Sequence, residues 1–187
     1  MKKIKVTIEA DTSLLMNSPK GMVENYGGAK IRKTTTDYNS KEEAEKVCYR
    51  TEKGTLYIPN TAIKGSIINA SSFKKIGRYA AKPIISAAVR INPEEIEILD
   101  KKNKPFKKYD IDLRTVVIQR SRVVKSRPKI SNWKAIFNIS YNENLIGDTE
   151  IIKSILTEAG ERVGILDFRP SCKGEFGCFH ITKWEEV

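Results

Sequence analysis

The sequence predicts an α+β protein with a ferredoxin-like (RRM-like) βαββαβ antiparallel sheet, a β-hairpin arm and a long loop insertion. Residues 3–9 alternate polar and apolar side chains with the period of a half-buried strand. Two later segments carry apolar residues at helical spacing, and further alternating segments lie between and after them. In chain order the long elements run strand, helix, strand, strand, helix, strand, which is the order of the split βαβ motif.

Each long element rests on its own pattern. Ile4, Val6 and Ile8 define the inner face of the first strand. The helix after Pro59 is predicted to end near residues 77–81, and residues 84–99 are predicted to be mostly strand. The remaining apolar stripes are those of the first helix (Ala62, Ile63, Ile67, Ala70, Phe73), the strand over residues 132–141 (Trp133, Ala135, Phe137, Ile139, Tyr141), the second helix (Ile151, Ile152, Ile155, Leu156, Ala159) and the last strand (Phe176, Cys178, His180, Thr182, Trp184).

The rest of the chain is predicted to form insertions in one domain spanning residues 1–187. The insertions cover about 11–56 and 100–131. No periodicity survives over residues 11–41, which form either a disordered excursion or a mobile loop over a binding face. A short helix capped by Ser40 and a hairpin around Lys53 and Gly54 complete the first insertion. The second contains the hairpin arm.

The charge of the chain favours a polyanionic partner. The net charge is +11, which makes a nucleic acid or an anionic membrane surface the expected partner. No apolar run approaches the roughly 18–20 residues of a spanning helix, and the N-terminus lacks the apolar core of a signal peptide. Three cysteines are too few for a disulfide framework. We therefore expect a cytoplasmic protein without a cofactor, and no integral membrane protein.

Basic residues concentrate in the predicted hairpin arm. Residues 114–129 contain no acid, and a basic hairpin of this kind can straddle a phosphate backbone. The alternative is a solvated edge that is kept charged to prevent aggregation. The arm contributes five candidate nucleic-acid-binding residues: Arg114, Arg120, Arg122, Lys125 and Arg127.

Two further segments carry candidate binding residues. In residues 57–67 a strand ends in Pro59 and opens a helix with Lys64 and Gly65 near its start, where free amide groups attract phosphate. A glycine there costs about 1 kcal/mol relative to alanine, so something is expected to pack closely against it; simple helix–sheet packing is the alternative. Residues 160–177 contain four glycines, counting Gly160. The same segment holds three candidate cations: Arg162, Arg169 and Lys173.

These two segments resemble a known family. The pattern Tyr-Ile-Pro-x-x-x-Ile-Lys-Gly-x-Ile at residues 57–67 resembles the IPGSSLKG segment of the RAMP superfamily of CRISPR-associated proteins, in particular the backbone subunits of effector complexes. Residues 160–177 are similar to the glycine-rich loop of that superfamily. Asn60 stands where the family has Gly, and Ile63 where it has Leu. Given this resemblance, we expect a stand-alone version of such a subunit, of the kind that a phage or other mobile element could carry.

The resemblance implies a ferredoxin-like fold, binding of RNA or a guide strand, self-association along that strand or protein partners in a ribonucleoprotein, and a place for Lys64 and Gly65 on the nucleic-acid path. Some members cleave RNA with an acid in the loop after the first strand, a region that holds Asp11 and Asp37 here. No local motif selects either acid, and His180 is expected to be packed on an apolar strand face.

The leading hypothesis is a non-catalytic protein that binds single-stranded RNA or single-stranded DNA. We predict no catalytic residue and no metal ligand. One alternative is an endoribonuclease of the same superfamily. The other is an interaction protein that mimics a subunit and joins or blocks an effector complex.

Overall fold

The main sheet and its flanking helices form a mixed α/β arrangement in which all strand pairs are antiparallel. The computed structural model describes residues 1–23, 38–118 and 120–187. Its strands are β1 (Lys2–Ala10), β2 (Leu14–Leu15), β3 (Tyr57–Pro59), β4 (Lys75–Ile76), β5 (Tyr79–Ala80), β6 (Val89–Asn92), β7 (Glu95–Leu99), β8 (Asp110–Ile118), β9 (Ser121–Ile130), β10 (Lys134–Tyr141) and β11 (Phe179–Glu186). Its helices are α1 (Lys20–Val23), α2 (Ser40–Lys46), α3 (Asn60–Ala70), α4 (Ala81–Ala88), α5 (Glu143–Ile146) and α6 (Thr149–Glu158). Within these described ranges, no helix is long and apolar enough to cross a membrane.

The core lies between the main sheet and the helices. The strand order is β11-β1-β10-β7-β3, and β6 pairs with β10 beside β7. Ile4, Val6 and Ile8 of β1 are buried, as the sequence predicts, and Thr7 on the other face is buried as well. The register sets Val6 opposite Phe137 of β10. One cluster of buried residues joins this face to the helices, including Ile4, Val6 and Ile8 of β1, Ile63 and Ile67 of α3, and Ile152 and Ile155 of α6.

The last strand differs from the prediction because its register shifts once. The pairing of β1 with β11 is irregular between Thr7 and Ile8, and a bulge of this kind inserts one extra residue and reverses the alternation beyond it. Phe179 is therefore buried, whereas His180, expected to be packed, is exposed.

The first long helix ends earlier than predicted. α3 stops at Ala70, and Phe73, expected on its apolar stripe, is 91% exposed. Residues 81–88, of which 84–88 were expected to be strand, form α4 instead, with Ala81, Ile85 and Ala88 buried on one face. Pro83 is compatible with this helix because it lies in the first turn, where a backbone N–H has no intrahelical partner.

The two segments that the sequence predicts to be insertions pack against each other. β8 and β9 form the predicted hairpin arm, and β2 pairs with β9 to complete a second sheet. α2 packs on β9. Its N-cap is Asn39 and not Ser40, and the Asn39 side chain accepts hydrogen bonds from two backbone amides of the first turn. The hairpin expected around Lys53 reduces to a single bridge between Arg50 and Leu56. Residues 24–37, in the segment expected to be a long loop, lie outside the described residues.

Candidate functional site

A cavity of about 380 Å³ lies between α3 and the glycine-rich bend, the name used below for residues 160–177. The two segments that the sequence singles out therefore meet at one site, although they are far apart in the chain. The cavity is lined by Asn17, Tyr49, Pro59, Thr61, Ala62, Gly65, Ser66, Asn69, Leu166, Asp167 and Arg169.

The glycine-rich bend is held in place by its own backbone. Gly164 and Gly177 adopt positive φ angles of 71° and 74°, which favour glycine. The amide of Asp167 donates to the carbonyl of Leu15 (3.0 Å), and that of Gly177 donates to Ser13 (2.9 Å). These bonds fix the bend against the segment that contains β2, and so fix the wall that Asp167 and Arg169 give to the cavity.

Gly65 opens onto free space. A Cβ atom built at this position would have no neighbour within 4 Å. The close packing expected from the sequence is therefore not provided by the described part of the chain. Lys64 lines an adjacent cavity of about 240 Å³ together with Arg90, and Thr61 lines both cavities. The start of α3 thus separates two neighbouring concave surfaces.

Arg127 joins the hairpin arm to the bend from a buried position. It is only 3% exposed, its Nη1 donates to Oδ2 of Asp167 at 2.9 Å, and its Nη2 donates to Oδ2 of Asp112 at 3.4 Å. Its guanidinium also lies over the ring of Phe168, 5.7 Å from the centroid. The sequence hypothesis treats Arg127 as a binding residue. The structure instead pairs Asp167 with Arg127, so this arginine is committed to the fold.

Two other cations of the arm contact the same junction. Arg114 donates from Nε to Asp112 at 2.8 Å and lies 4.9 Å from the ring centroid of Phe176 in the bend. Lys125 lies 3.9 Å from Asp167, and burial lowers the pKa of its ammonium group. Asp112 of the arm itself and Asp167 of the bend therefore offset part of the positive charge that the sequence places in the arm.

The remaining predicted cations are more accessible. Arg120, in the turn of the arm, and Arg122 are exposed and have no acidic partner within the described ranges. The same holds for Lys173. Arg169 donates from Nη1 to the carbonyl of Leu166 at 2.7 Å, while Arg162 bonds Glu158 at 2.8 Å. The structure thus brings Gly65 and Arg169 into one cavity, sets Lys64 beside it, and ties Arg114, Lys125 and Arg127 to its outer wall.

The other face of the main sheet has a different character. Across β1, β10 and β11 this face carries no Phe, Tyr or Trp, in contrast to the aromatic platform on which RNA-recognition modules stack bases. Its charges are of both signs. They include Lys3, Lys5, Glu9, Lys134, Lys183 and Glu185.

His180 at the edge of this face bonds an acid. Its Nδ1 lies 2.6 Å from Oδ1 of Asp11, and both side chains are about half exposed. This pairing was not predicted, because the two residues lie at opposite ends of the chain. Asp37, the other acid considered, lies outside the described residues. The described parts of the chain hold no cluster of three His, Cys, Asp or Glu side chains suited to a metal ion.

Several residues of the candidate site had no signal in the sequence. Asn17 and Arg90 line the two cavities from segments that no motif marks, and Asn69 lies on α3 beyond the end of the motif at residue 67. Tyr49 packs edge-on against Tyr57, with ring centroids 5.6 Å apart, and burial raises the pKa of its hydroxyl.

No protein-family model matches this chain. Its fold is similar to that of a chain in the cryo-EM structure of the Type III-B Cmr-beta bound to cognate target RNA, with a TM-score of 0.63 and 16% sequence identity. The similarity covers 100% of the present chain and 60% of that chain. The protein thus spans about three fifths of this neighbour's length. This likeness shows the fold, a mixed α/β arrangement with antiparallel sheets.

Proposed function

We propose that the protein binds single-stranded RNA along the cavity between α3 and the glycine-rich bend, with the exposed cations of the hairpin arm extending the path. The strand lies over Gly65, with Arg169 and Lys64 on either side of it. Arg120 and Arg122 provide further phosphate contacts, whereas Arg127 holds the bend to the arm. The neighbour of similar fold was solved with target RNA, which supports this choice of ligand.

The observation that carries the proposal is the open space above Gly65. Glycine inside a helix costs about 1 kcal/mol relative to alanine, and no atom of the described chain lies close enough to require it. A ligand backbone that approaches α3 at this point would require it. Arg169 lines the same cavity and can supply the positive charge that such a backbone needs.

We further propose that the main sheet has the ferredoxin-like topology, with β6 and β7 counted as one interrupted strand. β1, α3, β6–β7, β10, α6 and β11 then follow the strand–helix–strand–strand–helix–strand order. On this reading the arm and the segment before β3 are insertions in a single domain, and they supply one side of the binding path.

The direct test is fluorescence anisotropy with a labelled single-stranded RNA at several salt concentrations. The test variant is Lys64→Ala/Arg122→Ala/Arg169→Ala. The control variant, Lys3→Ala/Lys5→Ala/Lys183→Ala, removes the same number of charges from the opposite face of the sheet. We expect the test variant to lose at least about tenfold in affinity and part of the salt dependence, because fewer phosphates are neutralised. The control variant should keep most of its affinity.

Equal losses in the two variants would mean that binding follows net charge and not this path. No binding by the parent protein, measured after nuclease treatment has removed any co-purified strand, would overturn the proposal. A stable protein partner with negligible affinity for free RNA would instead favour an interaction protein.

The Asp11–His180 pair favours endoribonuclease activity as a second candidate. A carboxylate that orients an exposed imidazole is an arrangement used in general base catalysis, here on a ribose 2′-hydroxyl. Incubation of labelled RNA with the parent and with His180→Ala, with and without Mg²⁺, tests it. Cleavage that disappears in the variant supports the activity, and intact RNA with highly purified parent protein rejects it.

A further inference from the structure

The cavity that we assign to an anionic strand also contains an acid. Asp167 lines it two residues before Arg169, and its side chain is 28% exposed. A carboxylate next to a phosphate path repels the ligand unless the ligand offers it a hydrogen-bond donor. The presence of Asp167 therefore restricts what can bind there.

The two oxygens of this carboxylate have different environments. Oδ2 accepts a hydrogen bond from Arg127 Nη1 at 2.9 Å and lies 3.9 Å from Lys125 Nζ. Oδ1 has no partner within residues 1–23, 38–118 and 120–187. The arginine fixes the carboxylate in place, so that a residue lining the cavity keeps one oxygen, Oδ1, as a free acceptor.

We propose that Asp167 accepts a hydrogen bond from the ribose 2′-hydroxyl of a nucleotide in the cavity and thereby selects RNA over DNA. This inference rests on the proposed function. An RNA nucleotide presents a hydroxyl donor close to its phosphate, and the cavity presents a carboxylate close to a guanidinium. In DNA the hydroxyl is absent, so no hydrogen bond would compensate the repulsion between the carboxylate and the phosphates of the strand. Hydrogen bonds to charged groups are among the stronger ones, so one such contact can discriminate between an RNA strand and a DNA strand.

The experiment measures dissociation constants for three single strands of the same sequence: RNA, DNA and 2′-O-methyl RNA. The parent should bind RNA about tenfold more tightly than DNA, as expected for one charge-assisted hydrogen bond. The 2′-O-methyl strand should resemble DNA, because its oxygen has no proton to donate. In Asp167→Ala the preference should fall close to unity, mainly through loss of RNA affinity.

A matched control separates recognition from folding. Asp112→Ala removes the other carboxylate that Arg127 contacts, but Asp112 does not line the cavity. It should leave the RNA-to-DNA ratio unchanged even if the hairpin arm is loosened. Asp167→Asn keeps the shape of the side chain and an acceptor for Arg127, and it replaces the alanine variant if that variant fails to fold. The RNA-to-DNA affinity ratio of Asp167→Asn should fall between those of the parent and Asp167→Ala.

Each remaining outcome counts against the inference. An unchanged ratio in both Asp167 variants overturns it. Equal losses for RNA and DNA would mean that the carboxylate contacts base N–H groups or only anchors Arg127. If the parent binds RNA and DNA equally well, the selectivity is absent while the proposed strand-binding function stands. If the parent binds neither strand, both proposals fail.

Discussion

The guanidinium of Arg127 is bonded to the carboxylate of Asp167, across the junction between the hairpin arm and the glycine-rich bend. Two elements that the sequence treats as separate basic segments are thereby joined by an ion pair whose arginine is buried. The arm and the bend are expected to behave as a unit, and the arginines of the arm to differ sharply in role according to their burial.

Arg127→Ala should destabilise the fold by roughly 1–3 kcal/mol, because it removes the hydrogen bonds of a buried guanidinium to Asp112 and Asp167, while Arg114 still pairs with Asp112. Urea unfolding followed by tryptophan fluorescence measures the change. Arg122→Ala, an exposed arginine of the same strand, should change stability by no more than about 0.5 kcal/mol. A stable Arg127→Ala protein would mean that the arm and bend do not depend on this pair.

Arg122→Ala should instead act on binding. One lost phosphate contact lowers the slope of log affinity against log salt by about 0.7 for a single strand. Titrations of the parent and the variant at several salt concentrations give the two slopes. Identical slopes would show that Arg122 stays in solvent when RNA binds. The charge-matched control is Lys102→Ala, which removes a lysine from an exposed turn.

Gly65→Ala should have opposite effects on stability and on binding. The backbone at Gly65 is helical and a Cβ meets no neighbour, so alanine should stabilise the protein by about 0.5–1 kcal/mol. The same methyl group enters the space assigned to the strand, and RNA affinity should fall by about tenfold, equivalent to roughly 1.4 kcal/mol. Thermal unfolding and anisotropy measure the two effects.

Thr157→Ala, on the exposed side of α6, is the matched helical substitution and should leave binding unchanged. A Gly65→Ala protein that binds RNA as well as the parent would remove the main support for a strand over α3.

Glu158 should make stability depend on pH in the acid range. Its carboxylate is 2.8 Å from Lys74 Nζ and 2.8 Å from Arg162 Nη1, and the bond from Lys74 contributes most to holding its pKa below the usual 4.5. A lowered pKa in the folded state adds stability above the unfolded value, which is lost as the pH falls through the folded value. Glu158→Gln should therefore be less stable at neutral pH, by about 1 kcal/mol or less for a pair of this kind.

The difference between the parent and Glu158→Gln should disappear in acid. Urea unfolding at a series of pH values from neutral to acid tests this, with Glu150→Gln at a more exposed site on the same helix as the control. A difference that persists unchanged to the lowest pH would contradict the assignment.

The regular parts of the fold were predictable because local patterns decide them. The alternation in β1 and β10 fixes which side chains are buried, and Pro59 marks the start of α3. α4 was not predictable, because its short apolar run has no long period and Pro83 suggested an end and not a first turn. The reversed face of β11 depends on a bulge in its pairing with β1. The bulge arises from how the two strands pair, and the sequence of β11 alone does not reveal it.

The site was predictable only in outline. The sequence identified α3 and the glycine-rich bend, and they meet at one cavity. It could not separate Arg127 from Arg122, since both are arginines in one basic strand. Their difference comes from Asp112 and Asp167, which approach Arg127 from other segments. The pairing of Asp11 with His180 was equally inaccessible to local reasoning.

The backbone bonds that attach the glycine-rich bend to the segment around β2 bear on the kinetics of association. A loop that becomes ordered only around a ligand loses conformational entropy when it binds. The glycine-rich bend is already fixed by its hydrogen bonds to the carbonyls of Leu15 and Ser13. Recognition at this wall should accordingly resemble docking onto a preorganised surface, with mutations in the wall changing how long a complex persists more than how quickly it forms.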